Sequence, residues 1–211
     1  MGALAEDEAL AKIDNIETKD VNHRLACRPF GENCGFTLSE GSQFIILFDD
    51  ELALELGAEI YGSVADVFVN ADGFKKSIPG PGVGNYLTVG KAMGLIRSIL
   101  GTKSLRNRSY MQAHGTSTPQ NRVTESHIFN ELAKAFAIKE WPITAIKAYI
   151  GHSLACASAD QLIASLGVWE QGIIPGITTT QSVAEDVFDE NLKFLLDHRE
   201  ISEAVSYTHL T

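Results

Sequence analysis

Three polar residues in this chain of 211 stand where chemistry is commonly done. His114 follows a short run of strand formers, Ser109 to Ala113, and precedes the small hydroxyl-rich turn Gly115-Thr116-Ser117-Thr118. His152 follows the apolar run Ile143 to Ile150 and Gly151, and opens a helix at Ser153. Each imidazole is thus expected at a tip between the C-terminal end of a strand and a helix, where open α/β folds bind ligands. Lys147 falls inside the second apolar run, read as a strand, where a cation is costly without a partner. Singly, each has a plain reading: a strand-end histidine is often structural, and an internal lysine often snorkels to the surface. Together, two imidazoles and an ammonium at two strand tips would face a bound ligand.

The elements that must position them follow from periodicity. Val89, Ala92, Met93, Ile96 and Leu100 recur at helical spacing, and Gly101 stops that helix. Ser109 to Ala113 is a short strand, and Ile128, Phe129, Leu132 and Phe136 mark a second helix. Ile143 to Ile150 reads as a strand, and Leu162, Ile163, Leu166 and Trp169 mark a third helix ending at Gly172. This alternation predicts a layered α/β fold. Upstream, residues 1–26 read as a polar helical segment and Gln43 to Phe48 as a buried strand. Asp49-Asp50 caps a short helix, Glu51 to Leu56, which Gly57 ends. Ala58 to Val69 reads as strand and Asn70 to Gly84, with its Asp-Gly and Pro-Gly pairs, as a long loop.

Composition narrows the classes. With 45% hydrophobic and 21% charged residues the chain can bury a core and does not read as disordered. No run of about 18 apolar residues predicts a spanning helix, and the acidic N-terminus carries no signal-peptide pattern. Three cysteines make no disulfide framework, so a reducing, cytoplasmic location is expected. The net charge of −10 argues against nucleic acid as a partner, and the aromatic residues lack the basic interleaving that base stacking needs. Between Asp72 and Glu125, however, stand Lys75, Lys76, Lys91, Arg97, Lys103, Arg106, Arg108 and Arg122 and no acid. That window is either a solvated face or a landing site for an acidic partner. The Gly80 to Gly84 run lacks the Lys and Ser or Thr of a phosphate loop. Cys27, Cys34 and His23 complete no zinc spacing, and Cys156, between Ala155 and Ala157, reads as a packing residue. No metal site is expected.

Taken in order, the motifs resemble the C-terminal half of a β-ketoacyl synthase, a condensing enzyme. The likeness rests on Arg28-Pro29-Phe30 with Gly35-Phe36 and Glu40-Gly41, then Asp72-Gly73 and Pro79. It continues through His114-Gly115-Thr116-Ser117-Thr118 with Pro119 and Glu125, Lys147 with Gly151-His152-Ser153, and Ile174-Pro175-Gly176. It implies a thiolase-like layered αβαβα fold, of which residues 1–201 would be the end of the first half and most of the second.

The resemblance also implies a reaction: an acyl chain moves to a cysteine, malonyl carrier protein loses CO₂, and the enolate joins the acyl group. His114 and His152 would donate hydrogen bonds to the enolate oxygen. Lys147 would orient the site electrostatically. Thr116 and Thr118 would bond the amides of the phosphopantetheine arm, which arrives on the carrier protein, so no resident cofactor is expected. The acidic carrier protein would meet the basic window from Lys75 to Arg122, and a homodimer is implied for the full-length protein. The alternative is a non-catalytic partner subunit that sets chain length.

Departures from the family pattern are local. Gly31-Glu32-Asn33-Cys34 replaces a stretch bearing Asp and Arg, Arg122 stands where an acid is usual, and Asp160-Gln161 replaces a region bearing Glu. The family's nucleophilic cysteine would precede residue 1, so the chain alone is expected to be inactive. Ser206 to Thr211 resembles a translated sequencing adapter, so residues 202–211 are read as a non-native tail.

Overall fold

The computed structural model describes residues 3–32, 35–71, 82–201 and 207–210, with backbone alone at 3–6 and 207–210. Four parallel strands form the central sheet: β1 (Ser109–Gln112), β2 (Trp141–Thr144), β4 (Leu192–Phe194) and β6 (Tyr207–Leu210), in the order β4-β2-β1-β6. Register places Met111 beside Ile143 and Ile143 beside Phe194. Every side chain of β1 is buried, as expected for a parallel strand covered on both faces.

Strand alternation sends Met111 and Tyr110 to opposite faces. On one face Met111, Ile143 and Phe194 meet Val89 and Met93 of α3 (Val83–Asn107) and Ile128, Phe129 and Leu132 of α4 (Pro119–Ala135). On the other, Tyr110 meets Val168 of α6 (Ala157–Gln171), Ile174 and Leu195. Ile174 belongs to β3 (Ile173–Ile174), which pairs antiparallel with β5 (Arg199–Glu200). Helices thus sandwich the sheet, and the α/β reading holds.

The N-terminal segment is helical as expected, with α1 at Ala3–Asp14 and single 3-10 turns at Thr18–Asp20 and His23–Leu25. Asp49 caps α2 (Asp50–Glu55) by accepting a hydrogen bond from the Leu52 amide at 2.8 Å. Gly101 breaks α3 (φ 81°, ψ 161°) but does not end it: the helix resumes and inserts Leu105, fully buried, into the core.

Three strand expectations need correction. Ile143 to Ile150 is not one strand: β2 stops at Thr144, and Lys147–Ile150 form a single helical turn, α5. The partner strand β1 ends at Gln112, so the ladder has little to bond beyond Thr144, and Lys147 is a helical-turn residue. Gln43 to Phe48 and Ala58 to Val69 form no strands, and most of their apolar side chains are exposed, Phe44 at 90% and Val69 at 86%. A strand is made by its neighbour, and among the described residues neither run has one. The expected loop at Asn70 to Gly84 lies mostly outside the described residues. Within the stretch read as a tail, Tyr207–Leu210 nevertheless pairs along the edge of β1, Tyr207 beside Ser109 and Leu210 beside Gln112.

Candidate active site

His114 leaves the end of β1 and turns at Gly115. Gly115 has φ 53°, and a Cβ there would sit 2.5 Å from the Ala145 Cβ, so only glycine lets this tip close against the next strand's end. Below the turn, Glu125 of α4 is buried and accepts hydrogen bonds from the amides of His114 (2.5 Å) and Gly115 (2.9 Å) and the side chain of Asn121 (2.7 Å). Burial pushes the Glu125 carboxyl up, and these three donors pull it back. Gln161 of α6 donates to the Ala113 carbonyl at 2.7 Å, fixing the residue just before His114.

Lys147, 2% exposed, is not snorkelling. Its Nζ donates to the His114 carbonyl at 2.7 Å and lies 3.3 Å from His114 Nδ1. Burial pulls the lysine pKa down, offset in part by the nearby Glu125. An ammonium can only donate, so Nδ1 of His114 is the acceptor and its proton sits on Nε2. Burial first, then the positive charge of Lys147, drives the His114 pKa down to about 3. The ring is neutral at physiological pH.

His152 follows Gly151 (φ 70°), whose Cβ would meet the Thr37 carbonyl at 2.8 Å. The His152 amide donates to Thr37 O at 2.7 Å and its carbonyl accepts from Ser39 N at 3.1 Å, which stitches residues 37–39 alongside. Leu154, at φ 57°, directs its amide onto His152 Nδ1 at 3.0 Å. A bulky residue in left-handed conformation is strained by about 1–3 kcal/mol, and here the strained amide sets the histidine's tautomer. His152 therefore also carries its proton on Nε2, and burial lowers its pKa, with Lys147 adding to the effect. The two rings are edge to face with centroids 5.1 Å apart, and Phe36 lies 5.4 Å from His152. Two neutral imidazoles side by side, each with an Nε2–H to give, form a pair of donors for one developing oxyanion.

The structure thus brings His114, His152 and Lys147 together. Thr116 and Thr118 bond each other at 3.0 Å, and Thr118 also caps α4 by accepting from Asn121 N at 3.3 Å. Sequence reasoning gave no role to Leu154 or Gln161. A capping amide carries no side-chain signature, but a glutamine on the buried face of α6 was a visible clue. Cys156 is half-buried with its thiol directed to the Gly41 carbonyl at 3.0 Å.

Around the turn, long-range bonds brace the loop at 27–31. Thr179 donates to the Cys27 carbonyl (2.6 Å), Thr180 to Pro29 (2.8 Å), and the Ala184 amide to Phe30 (2.9 Å). Arg122 completes the brace, bonding Asp186 at 2.7 and 3.0 Å and the Gly31 carbonyl at 2.9 Å. The expectation that the whole window from Lys75 to Arg122 forms one docking face is therefore corrected. Arg122 is buried and spoken for, because its guanidinium closes a loop rather than facing solvent. Lys91, Arg97 and Lys103 are exposed along α3, and Lys75 and Lys76 lie outside the described residues.

Comparison with known proteins places this geometry. Residues 61–181 match the family model for the β-ketoacyl synthase C-terminal domain, and the chain belongs to that family. It is 59% identical over 192 residues to the β-ketoacyl-[acyl-carrier-protein] synthase FabY of Pseudomonas aeruginosa, a match covering 91% of this chain and 30% of that protein. It is 28% identical over 172 residues to 3-oxoacyl-[acyl-carrier-protein] synthase 1 of Escherichia coli, covering 82% of this chain and 39% of that protein. The crystal structure of the P. aeruginosa ketosynthase FabY superposes with a TM-score of 0.92 at 54% identity, covering 99% of this chain and 33% of that one. The chain thus spans about a third of the length of FabY, and the thiolase-like fold class is established over that span.

Proposed function

We propose that these residues form the decarboxylating half of a β-ketoacyl-acyl carrier protein synthase, an acyltransferase that condenses acyl and malonyl thioesters. The observation that carries this reading is the histidine pair at 5.1 Å, each ring with Nδ1 occupied by a donor. As malonyl thioester loses CO₂, the electron pair of the broken C–C bond moves onto the thioester oxygen. The two Nε2–H groups receive that oxygen, and Lys147 holds His114 in the donating tautomer. The enolate carbon then attacks the acyl thioester of a cysteine nucleophile, whose thiolate leaves. By family resemblance that cysteine lies N-terminal to these residues in the longer protein.

Thr116 and Thr118 are assigned to the phosphopantetheine arm, exchanging their mutual hydrogen bond for bonds to its amides. The exposed cations of α3 are assigned to the acidic carrier protein. A cytoplasmic homodimer with no bound cofactor completes the proposal.

The test uses the full-length enzyme. His114→Ala and His152→Ala should each lower CO₂ release from malonyl carrier protein by about 10²–10³, while loading of labelled acyl group onto the cysteine persists. Decarboxylation that survives both changes would refute the assignment, and failure of the unmodified enzyme to load acyl groups would favour a chain-length-setting subunit.

A further inference from the structure

We propose that a recess at the N-terminal pole of the sheet binds a small polyanion of the diphosphate class. The recess has a volume of about 330 Å³ and is walled by Arg106, Lys139, Lys193 and Arg199, with Glu140 the one acid among its lining residues. Four cations reach it from different elements: the last turn of α3, the turn before β2, the middle of β4, and β5. Among the described residues none of the four enters an ion pair. Arg106 spends only its Nε, on the Phe136 carbonyl at 2.8 Å, so it is anchored with its remaining N–H groups unspent in that bond. A net excess of three positive charges in one concavity is unfavourable by itself and is relieved by a multiply charged anion.

The class of ligand follows from size and lining. At roughly 30 Å³ per water the recess holds about ten waters, more than one phosphate group displaces. Pro142 is the single apolar residue in the wall, whereas a protein partner's docking site needs apolar anchors at its centre. Arginine and lysine together suit phosphate oxygens, the former by paired N–H bonds. The recess lies at the starts of β1 and β2, whereas His114 follows the end of β1. At about 3.3 Å per residue the two are on the order of 15 Å apart, so the recess is separate from the histidine site.

The probe is inorganic pyrophosphate, titrated calorimetrically into the protein at low and at physiological salt, with inorganic phosphate as comparison. Pyrophosphate should bind one to one and at least about tenfold more tightly than phosphate, and Lys193→Ala or Arg199→Ala should each weaken it about tenfold. Lys91→Ala, which removes the same charge from α3, should change it less than twofold. Glu140→Gln should tighten binding several-fold, a gain that an unfolded variant cannot imitate. Affinity unchanged by Lys193→Ala, Arg199→Ala and Glu140→Gln alike would overturn the proposal. So would binding of an acidic peptide in preference to pyrophosphate.

Discussion

Gln43 to Phe48 and Ser109 to Ala113 are both short runs suited to strands, yet Phe44 and Ile46 are 90% and 78% exposed whereas Met111 and Ala113 are fully buried. The difference is not in side-chain type. Residues 109–112 have neighbours on both edges and helices over both faces. Residues 43–48 have neither among those described. A pleated backbone must place its N–H and C=O groups somewhere, so apolar content without a partner strand yields an extended, solvent-facing segment. The chemistry-bearing histidine sits on the partnered strand, where the backbone is held by Glu125 and Gln161.

The contrast can be broken most forcefully at Gly115. Gly115→Ala adds a Cβ that collides with Ala145 and imposes a left-handed strain, and should cost about 2–4 kcal/mol by chemical denaturation. Phe44→Ser, which alters a larger side chain, should stay within about 0.5 kcal/mol. Equal losses from the two would show that residues 43–48 are packed.

Lys147→Met keeps the buried stem and removes the charge. It should lower decarboxylation by the full-length enzyme about 10- to 100-fold and raise the His114 pKa. Because burial is the larger cause, that pKa should still lie below 6.5 when followed by NMR titration. A return to 6.5 would mean that charge, not burial, sets it.

Acid should act on the site before it acts on residues 43–48. Between about pH 6.5 and 3 the unfolded His114 binds a proton that the folded ring refuses. Stability is therefore fully present above 6.5, and falls as pH drops through that window. A denaturation series in which His114→Gln shows the same slope there would remove this histidine as the cause.

The most local effect is expected at Asp49→Ala, which deletes the cap of α2. It should cost about 1 kcal/mol, read as faster hydrogen exchange at residues 52–56 with no change at 109–112.

Legibility in the sequence tracked the same division. Helices α4 and α6 are readable because their apolar stripes, and for α6 its Gly172 end, lie within the element itself. The two histidines were readable because their glycine neighbours mark the tips. The sequence puts Lys147 on a strand, since Ile143 to Ile150 is largely apolar and only the end of the β1 ladder reveals where β2 stops. The role of Arg122 as a buried clasp was hidden, because its partners lie 64 and 91 residues away in sequence. Charge counting read it as part of a surface.

The threonine bonds at 179 and 180 set a clock on synthesis. They join partners 152 and 151 residues apart, so the loop beneath the first histidine cannot be fastened until Thr179 and Thr180 have been made. At roughly 5–20 residues per second, about 8–30 s pass on the ribosome between Pro29 and Thr180. The brace under the histidine turn is therefore among the last contacts of this span to close.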